Sequence, residues 1–260
     1  MKTEPQTPSA GEACAFFVEY AAVLTGCGAT CIRLEKNVRR MAASYGYDIE
    51  LAIMPRHIHI SVWSQNHETA VTAISSVNAP GISFNINTRL SELSWEVADR
   101  KINFPQAKEK FKTIVETDKQ NKWSILILVA LANASFCRLF GGDPAAMAIT
   151  GIATLAGYYI KQILTASKTD TRLTVFICSF ISSILGASGI LFSIGSTPDI
   201  ALATGVLYLI PGIPFLNSFS DMLYRHYICA FSRFMDALVI TCCLSAGLCA
   251  GMILMHTGMF

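Results

Sequence analysis

Charge is what this sequence has least of. Only 15% of its 260 residues are Asp, Glu, Lys or Arg, against about 25% in an ordinary soluble domain, while 52% are hydrophobic. The shortage is uneven: most charges precede Trp123, and the rest collect between long apolar runs. A soluble segment followed by a membrane segment fits this pattern, and one large globular core does not. The start, MKTEPQTPSAGEA, lacks the apolar stretch of a secretory signal, so the part before Trp123 is expected to stay inside the cell. The formal net charge of +2 says nothing about nucleic acid, but no basic block interleaves with aromatics, so that class of partner is set aside. The nine cysteines do not read as a disulfide framework. Cys137, Cys178, Cys242, Cys243 and Cys249 fall in apolar runs, where cysteine acts as a small hydrophobe. Cys27 and Cys31 lack the second pair that a structural zinc site needs. Free thiols in a reducing compartment are expected.

Residues 1–11 read as a disordered tail, and residues 12–120 as a small cytoplasmic α+β domain. Apolar residues recur at helical spacing over Glu12–Leu24 and again over Ile32–Tyr45. Between them TGCGAT turns through Gly26 and Gly28, with Thr30 a natural N-cap, and Gly46 closes the second helix. Strands are expected over Asp48–Met54, His57–Trp63 and Ala70–Val77. In the second, Ile58, Ile60 and Val62 form the inner face while His57, His59 and Ser61 point the other way. Ser64–Glu68 reads as a polar turn. Ile82, Phe84 and Ile86 alternate as in a further strand, and two helices follow over Ser91–Asp99 and Pro105–Thr117. His57 and His59 could share a metal ion, but only His67 or Glu68 offers a third ligand nearby, so an exposed polar strand face is the better reading. No metal and no cofactor is expected.

From Trp123 to residue 256 the chain reads as a polytopic α-helical membrane domain of five transmembrane helices, over about 123–140, 144–164, 173–194, 198–224 and 234–255, since about 20 apolar residues cross a bilayer. The basic residues alternate with these spans. Lys108 to Lys122 precede the first, Lys161, Lys168 and Arg172 follow the second, and Arg225 and Arg233 follow the fourth. The positive-inside rule then puts the N-terminal domain in the cytoplasm and the C-terminus across the membrane.

The fourth span is interrupted at 211–214. IPGIPFLNSFSD carries Pro211, Gly212 and Pro214, followed by Asn217 and Asp221. Each proline deletes a backbone donor, which should strip the carbonyls of Leu207 and Ile210 of their helical partners. Broken backbone in a membrane is tolerated only where protein or a water-lined cavity satisfies it, and such breaks are used for solute sites. A helix restarting near Pro214 would aim free N–H groups at a carboxylate. Asn217, Asp221 and Arg225 follow at spacings of four, presenting amide, carboxylate and guanidinium on one face. An intramembrane carboxylate marks a pathway; alternatively Asp221 lies at the interface and pairs with Arg225. In the second span Thr150, Thr154, Tyr158, Lys161 and Gln162 share a face that could line a path. GGDP and STPD repeat one pattern, a capping residue before a proline, so Asp143 is a helix cap first and a ligand second. The small residues of the third span and Gly247 and Gly251 of the fifth read as close helix packing.

LTGCGAT with Arg33–Glu35 (RLE) and Gly46, FCRLFGGDPAA from Phe136, YYIKQIL from Tyr158 and LIPGIPFLNSFSDML from Leu209 resemble the N-terminal half of the threonine/serine exporter (ThrE) family, from about residue 14 to the C-terminus. The resemblance implies efflux transport by ten spans, five of them on a separate YjjB-like membrane subunit in the split form, to which a five-span chain is similar. It implies export of threonine and serine in one branch and of succinate in another, from a bacterial inner (plasma) membrane with a periplasmic C-terminus. Family resemblance also links the soluble domain to hydrolases, but no nucleophile–base–acid set is present. Non-enzymatic export of a small carboxylate or amino acid is thus expected. A membrane-anchored hydrolase around His57 and His59 and a scaffold that positions the partner are the other classes; a higher oligomer is left open.

Overall fold

The computed structural model describes residues 8–64, 70–77, 81–116 and 121–257. The expected tail before Pro8, the polar turn at 65–68 and the candidate ligands His67 and Glu68 lie outside the described residues. The chain divides into two compact units. One comprises residues 1–119 and 213–234, the other residues 120–212 and 235–260.

The first unit opens with α1 (Ala10–Gly26), started by a capping box in which Ser9 and Glu12 satisfy each other's backbone N–H. Gly28, at φ +86°, turns the chain into α2 (Cys31–Ser44). Three strands, β1 (Tyr47–Ile53), β2 (His57–Ser64) and β3 (Ala70–Ser76), form an antiparallel sheet in that order. Ile58, Ile60 and Val62 are fully buried, as their alternation predicts, and the Cys14 thiol of α1 donates to the Ile60 carbonyl. Two helices follow, α3 (Phe84–Ala98) and α4 (Phe104–Glu116). The alternation of Ile82, Phe84 and Ile86 does not make a strand. Ser83 caps a helix by accepting from the Ile86 N–H, and burial of Ile86, Leu90, Leu93 and Val97 at helical spacing outweighs three alternating residues, of which Ile82 and Phe84 stay exposed. Phe16, Tyr20, Phe104 and Phe111 form an edge-packed aromatic cluster at the centre of the core. Burial pushes the Tyr45 hydroxyl up to about 12.

The second unit holds α5 (Lys122–Leu139), α6 (Pro144–Ala166), α7 (Thr171–Leu191) and the short α8 (Pro198–Thr204), followed by a 3-10 turn at Leu207–Leu209. The chain re-enters the first unit with α9 (Gly212–Leu223). It returns through α10 (Tyr227–Leu254), whose residues from Met235 onward belong to the second unit. Ser179 and Ser183 of α7 donate to the carbonyls of Leu244 and Leu248. A Cβ on Gly247 would come within 2.4 Å of the Phe176 carbonyl oxygen and one on Gly251 within 2.6 Å of Ser183 Oγ. The small residues are there for close packing. None of the nine cysteines forms a disulfide.

Among the described residues three helices are long and apolar enough to cross a bilayer, α5, α7 and α10, and a fourth span is reached only if Pro198–Leu209 and α9 are taken together. The sequence reading expects five. The missing one is α6, which is helical over its expected range but diluted by Thr150, Thr154, Tyr158, Lys161 and Gln162. Two further differences concern the break. The division between units falls at Gly212/Ile213, so residues 213–234, expected within the membrane domain, pack with the N-terminal domain. The Leu207 and Ile210 carbonyls are not orphaned either: they accept from the N–H groups of Ile210 and Gly212 at 3.1 and 2.9 Å. The tight turn recovers what Pro211 removes.

Candidate functional site

In the first unit the site is built on a helix start without its own cap. Thr30 occupies the N-cap of α2 but makes no side-chain capping bond. The capping oxygen comes from α9: the Cys31 N–H donates to Asp221 Oδ1 at 2.8 Å. The positive end of the α2 dipole thus faces a carboxylate. Asp221 is fully buried, and its other oxygen lies 3.0 Å from Arg233 Nη1 of α10. This contact is Coulombic rather than a well-angled hydrogen bond, since neither atom has a hydrogen-bond partner. Arg233 also donates through Nη2 to the Ala29 carbonyl, and Asn217 Nδ2 donates to the Gly28 carbonyl, both at 2.8 Å. Ser218 Oγ donates to the Ala230 carbonyl, and Cys229 Sγ to that of Ile53. The Cys31 thiol, in contact with Cys229 and buried, is held well above the ordinary thiol range. The turn GCGAT and the helix LNSFSD therefore lock together through side chains of one and backbone groups of the other.

Arg225 takes no part. Helix α9 ends at Leu223, and Arg225, exposed at φ +65°, forms the left-handed closing turn with its N–H on the Met222 carbonyl. The carboxylate's cation is Arg233, which the helical spacing of four did not select, because it reaches back from the next helix. Pro211 is buried, Gly212 exposed and Pro214 half-buried at the start of α9.

In the second unit the polar face of α6 meets partners from three other elements. Asn133 of α5 donates through Nδ2 to Thr154 Oγ1 at 2.6 Å and to the Thr204 carbonyl at 3.0 Å. The hydroxyls of Thr150 and Thr204 are 3.0 Å apart, and Ser182 of α7 and Tyr208 pair at 2.9 Å. Tyr158 packs edge-on against Tyr208, and Lys161 Nζ lies 5.5 Å from the Tyr158 ring. Gln162 donates to the Lys122 carbonyl from an exposed position. Asn133, Thr150, Thr154, Ser182 and Thr204 are buried, so desolvation is offset only by these mutual bonds. Asn133, Ser182, Thr204 and Tyr208 were missed as site residues. Asn133 carried a signal, being the lone amide of an apolar run.

Asp143 caps α6, accepting from the Ala146 N–H at 2.7 Å, and reaches the STPD loop, accepting from the Ser196 N–H at 2.6 Å. In return its own N–H donates to Thr197 Oγ1. The backbone donors of Ala146 and Ser196 hold its carboxyl below the ordinary range. The two repeated loops are therefore tied to each other. Gly195, at φ +80°, passes so close that a Cβ there would lie 2.5 Å from Asp143 Oδ2.

Among the described residues no three His, Cys, Asp or Glu side chains are grouped as a metal site. His57 and His59 stand on β2 opposite Ser76 and Ile74.

Compared with known proteins, residues 15–255 match the ThrE family model, described as "Putative threonine/serine exporter". Among curated proteins the chain is 24% identical over 228 residues to "Probable succinate transporter subunit YjjP" of Klebsiella aerogenes, covering 86% of each chain. It is 23% identical over 218 residues to the protein of the same description in Escherichia coli K12, covering 82% of this chain and 83% of that one. No solved structure matches.

Proposed function

We propose a function from the premise that this chain belongs to the threonine/serine exporter family, its family model spanning residues 15–255: it is a subunit of an inner-membrane exporter of small carboxylates, with succinate or another C4-dicarboxylate as first candidate. The observation that carries the substrate is the pair of relatives described as succinate transporter subunits, each matched over more than four-fifths of its length. The family's description favours the second reading, export of threonine or serine. Both relatives are described as subunits, which supports a second membrane chain; a YjjB-like five-span subunit fits that role. The proposed topology has five spans: α5, α6, α7, the bent pair of Pro198–Leu209 with α9, and α10. The N-terminal domain is cytoplasmic and the C-terminus periplasmic, as the basic loops indicate.

The solute path is assigned to the polar face of α6 and to the break. Thr154, Tyr158, Lys161 and Gln162 descend one face towards a lysine, the charge that a carboxylate needs. Pro211, Gly212 and Pro214 supply an irregular backbone at the break. Asn217 and Asp221 fasten the helix that leaves the break, Arg225 closes the turn after it, and Asp143 fixes the two loops at α6 and α8. Lipid covers the apolar faces of α5, α7 and α10.

Succinate and threonine efflux from loaded cells with and without this chain tests the reading. Succinate efflux is expected to fall in its absence. A fall in threonine efflux alone would move the assignment to the amino acid, and unchanged efflux of both would end it.

A further inference from the structure

The first unit contains a groove that the transport reading does not use. It has a volume of about 630 Å³ and three walls: Arg33, Lys36 and Arg40 of α2, Glu92 and Trp95 of α3, and Ser220 of α9 with Tyr224 just beyond the helix end. Small-molecule sites occupy roughly 300–1,000 Å³.

Its charge is one-sided. Arg33, Lys36 and Arg40 stand at i, i+3 and i+7, so they line one face of α2 over about 10 Å. Glu92 is the one acid among the lining residues. Two of the three cations are held in place by neutral groups, which leaves their charge uncompensated. Arg33 donates to Asn87 Oδ1 at 2.9 Å. Arg40 donates to Asn37 Oδ1 and Ser94 Oγ at 3.1 and 2.6 Å and stacks 3.6 Å above the Trp95 ring. Lys36, between them, is exposed and has no ion-pair partner among the described residues. The hydroxyls of Thr88, Ser91 and Ser220 stand at the same groove. By contrast Arg39, on another face of α2, is spent on Glu35 at 2.9 Å.

We propose that this groove binds a small molecule carrying two or more anionic groups, carboxylate or phosphate, held by Arg33, Lys36 and Arg40. Three cations along one line suit separated negative charges and disfavour a zwitterion, whose ammonium would meet them. Pre-positioned guanidinium groups bind such anions with little further loss of side-chain freedom. A bound ligand also touches Ser220, on the helix that carries Asp221, and Tyr224 just beyond that helix's end. The proposal stands independently of the exported solute, because none of its binding residues belongs to the assigned path.

The test is calorimetric titration of the purified full-length chain in detergent with succinate, with inorganic phosphate and with threonine. Saturable binding of succinate or phosphate is expected, the pair telling carboxylate from phosphate. Lys36→Gln and Arg33→Gln are each expected to weaken it about tenfold, and Arg39→Gln to leave it unchanged. Both substituted positions are exposed, and a thermal melt of each variant verifies folding. Hydrogen exchange in α9 is expected to slow with the ligand bound. Absence of binding by both anions, tighter binding of threonine, or anion binding that survives both substitutions would overturn the proposal.

Discussion

At the scale of single residues the most consequential is Asp221, whose place could not be read from its own helix. Its spacing from Asn217 and Arg225 was legible; its pairing with Arg233 and its capping of α2 depend on where two later helix turns and an early glycine turn meet in space. A buried carboxylate with its dipole and its guanidinium removed would be costly, and breaking a buried pair by deleting one partner costs about 3–5 kcal/mol. Asp221→Asn and Arg233→Met should therefore each lower the melting midpoint by several degrees, and the double variant should cost less than the two singles combined. Melts within one degree of the parent for both singles would show that the pair is dispensable. Asp143 behaves differently because it is only half-buried and is held by backbone donors rather than by a cation. Its carboxyl is held below its ordinary value of 3.8 by backbone donors, so the charge helps the fold above that value and the help is lost as pH falls through the lower folded value. Asp143→Asn keeps a cap for α6 but cannot accept from Ser196 through its amide nitrogen. The midpoint difference between parent and variant should be present at pH 7 and shrink below about pH 4; a difference constant with pH would overturn the electrostatic account.

At the scale of elements, the helices and the three strands were mostly visible as periodicity, because burial on one face writes the same pattern into sequence and structure. The exception at Ile82–Ile86 arose where a capping serine competed with three alternating residues. The break at Pro211 was visible as well, though its consequence was not: a 3-10 turn and two short backbone bonds satisfy carbonyls that a simple deletion argument leaves open. The break is therefore a stable corner rather than a wound in the backbone. This sharpens what a substitution should do. A Cβ on Gly212 meets nothing within 4 Å, and its φ is not in the left-handed region, so Gly212→Ala should fold and insert normally, and should transport. Gly212→Leu and Pro211→Ala should insert yet lose most of the efflux, the first by filling the open space and the second by letting the helix run on. Membrane-fraction immunoblots beside efflux rates check this, and parental flux in Gly212→Leu and Pro211→Ala would show that the corner is incidental.

At the scale of the whole molecule, the two-unit division was only half legible. A composition shift near Trp123 marks where charge gives way to apolar runs, but nothing in composition says that residues 213–234 return to the first unit; that follows from long-range bonds such as Asn217 to Gly28 and Arg233 to Ala29. The consequence is physical. The first unit is assembled from two stretches of sequence, residues 1–119 and 213–234, so α9 and the start of α10 fold with the N-terminal helices and sheet. Among the described residues three helices, or four with the bent pair, are of spanning character, and even with α6 added they offer little surface with which to enclose a path. If the polar face of α6 is half of that path, flux should require the second subunit and the solute should be chosen by charge. Proteoliposomes holding this chain alone are expected to show no counterflow of labelled succinate. Adding the five-span partner should establish it, with unlabelled dicarboxylates competing and threonine or serine failing to compete. Substituting Lys161 by Gln, which removes the cation on the path while leaving the groove's Arg33 and Lys36 intact, should then abolish counterflow and spare calorimetric binding of succinate. Counterflow by this chain alone would show that it encloses a full path, and loss of both activities in Lys161→Gln would show that groove and path are one site.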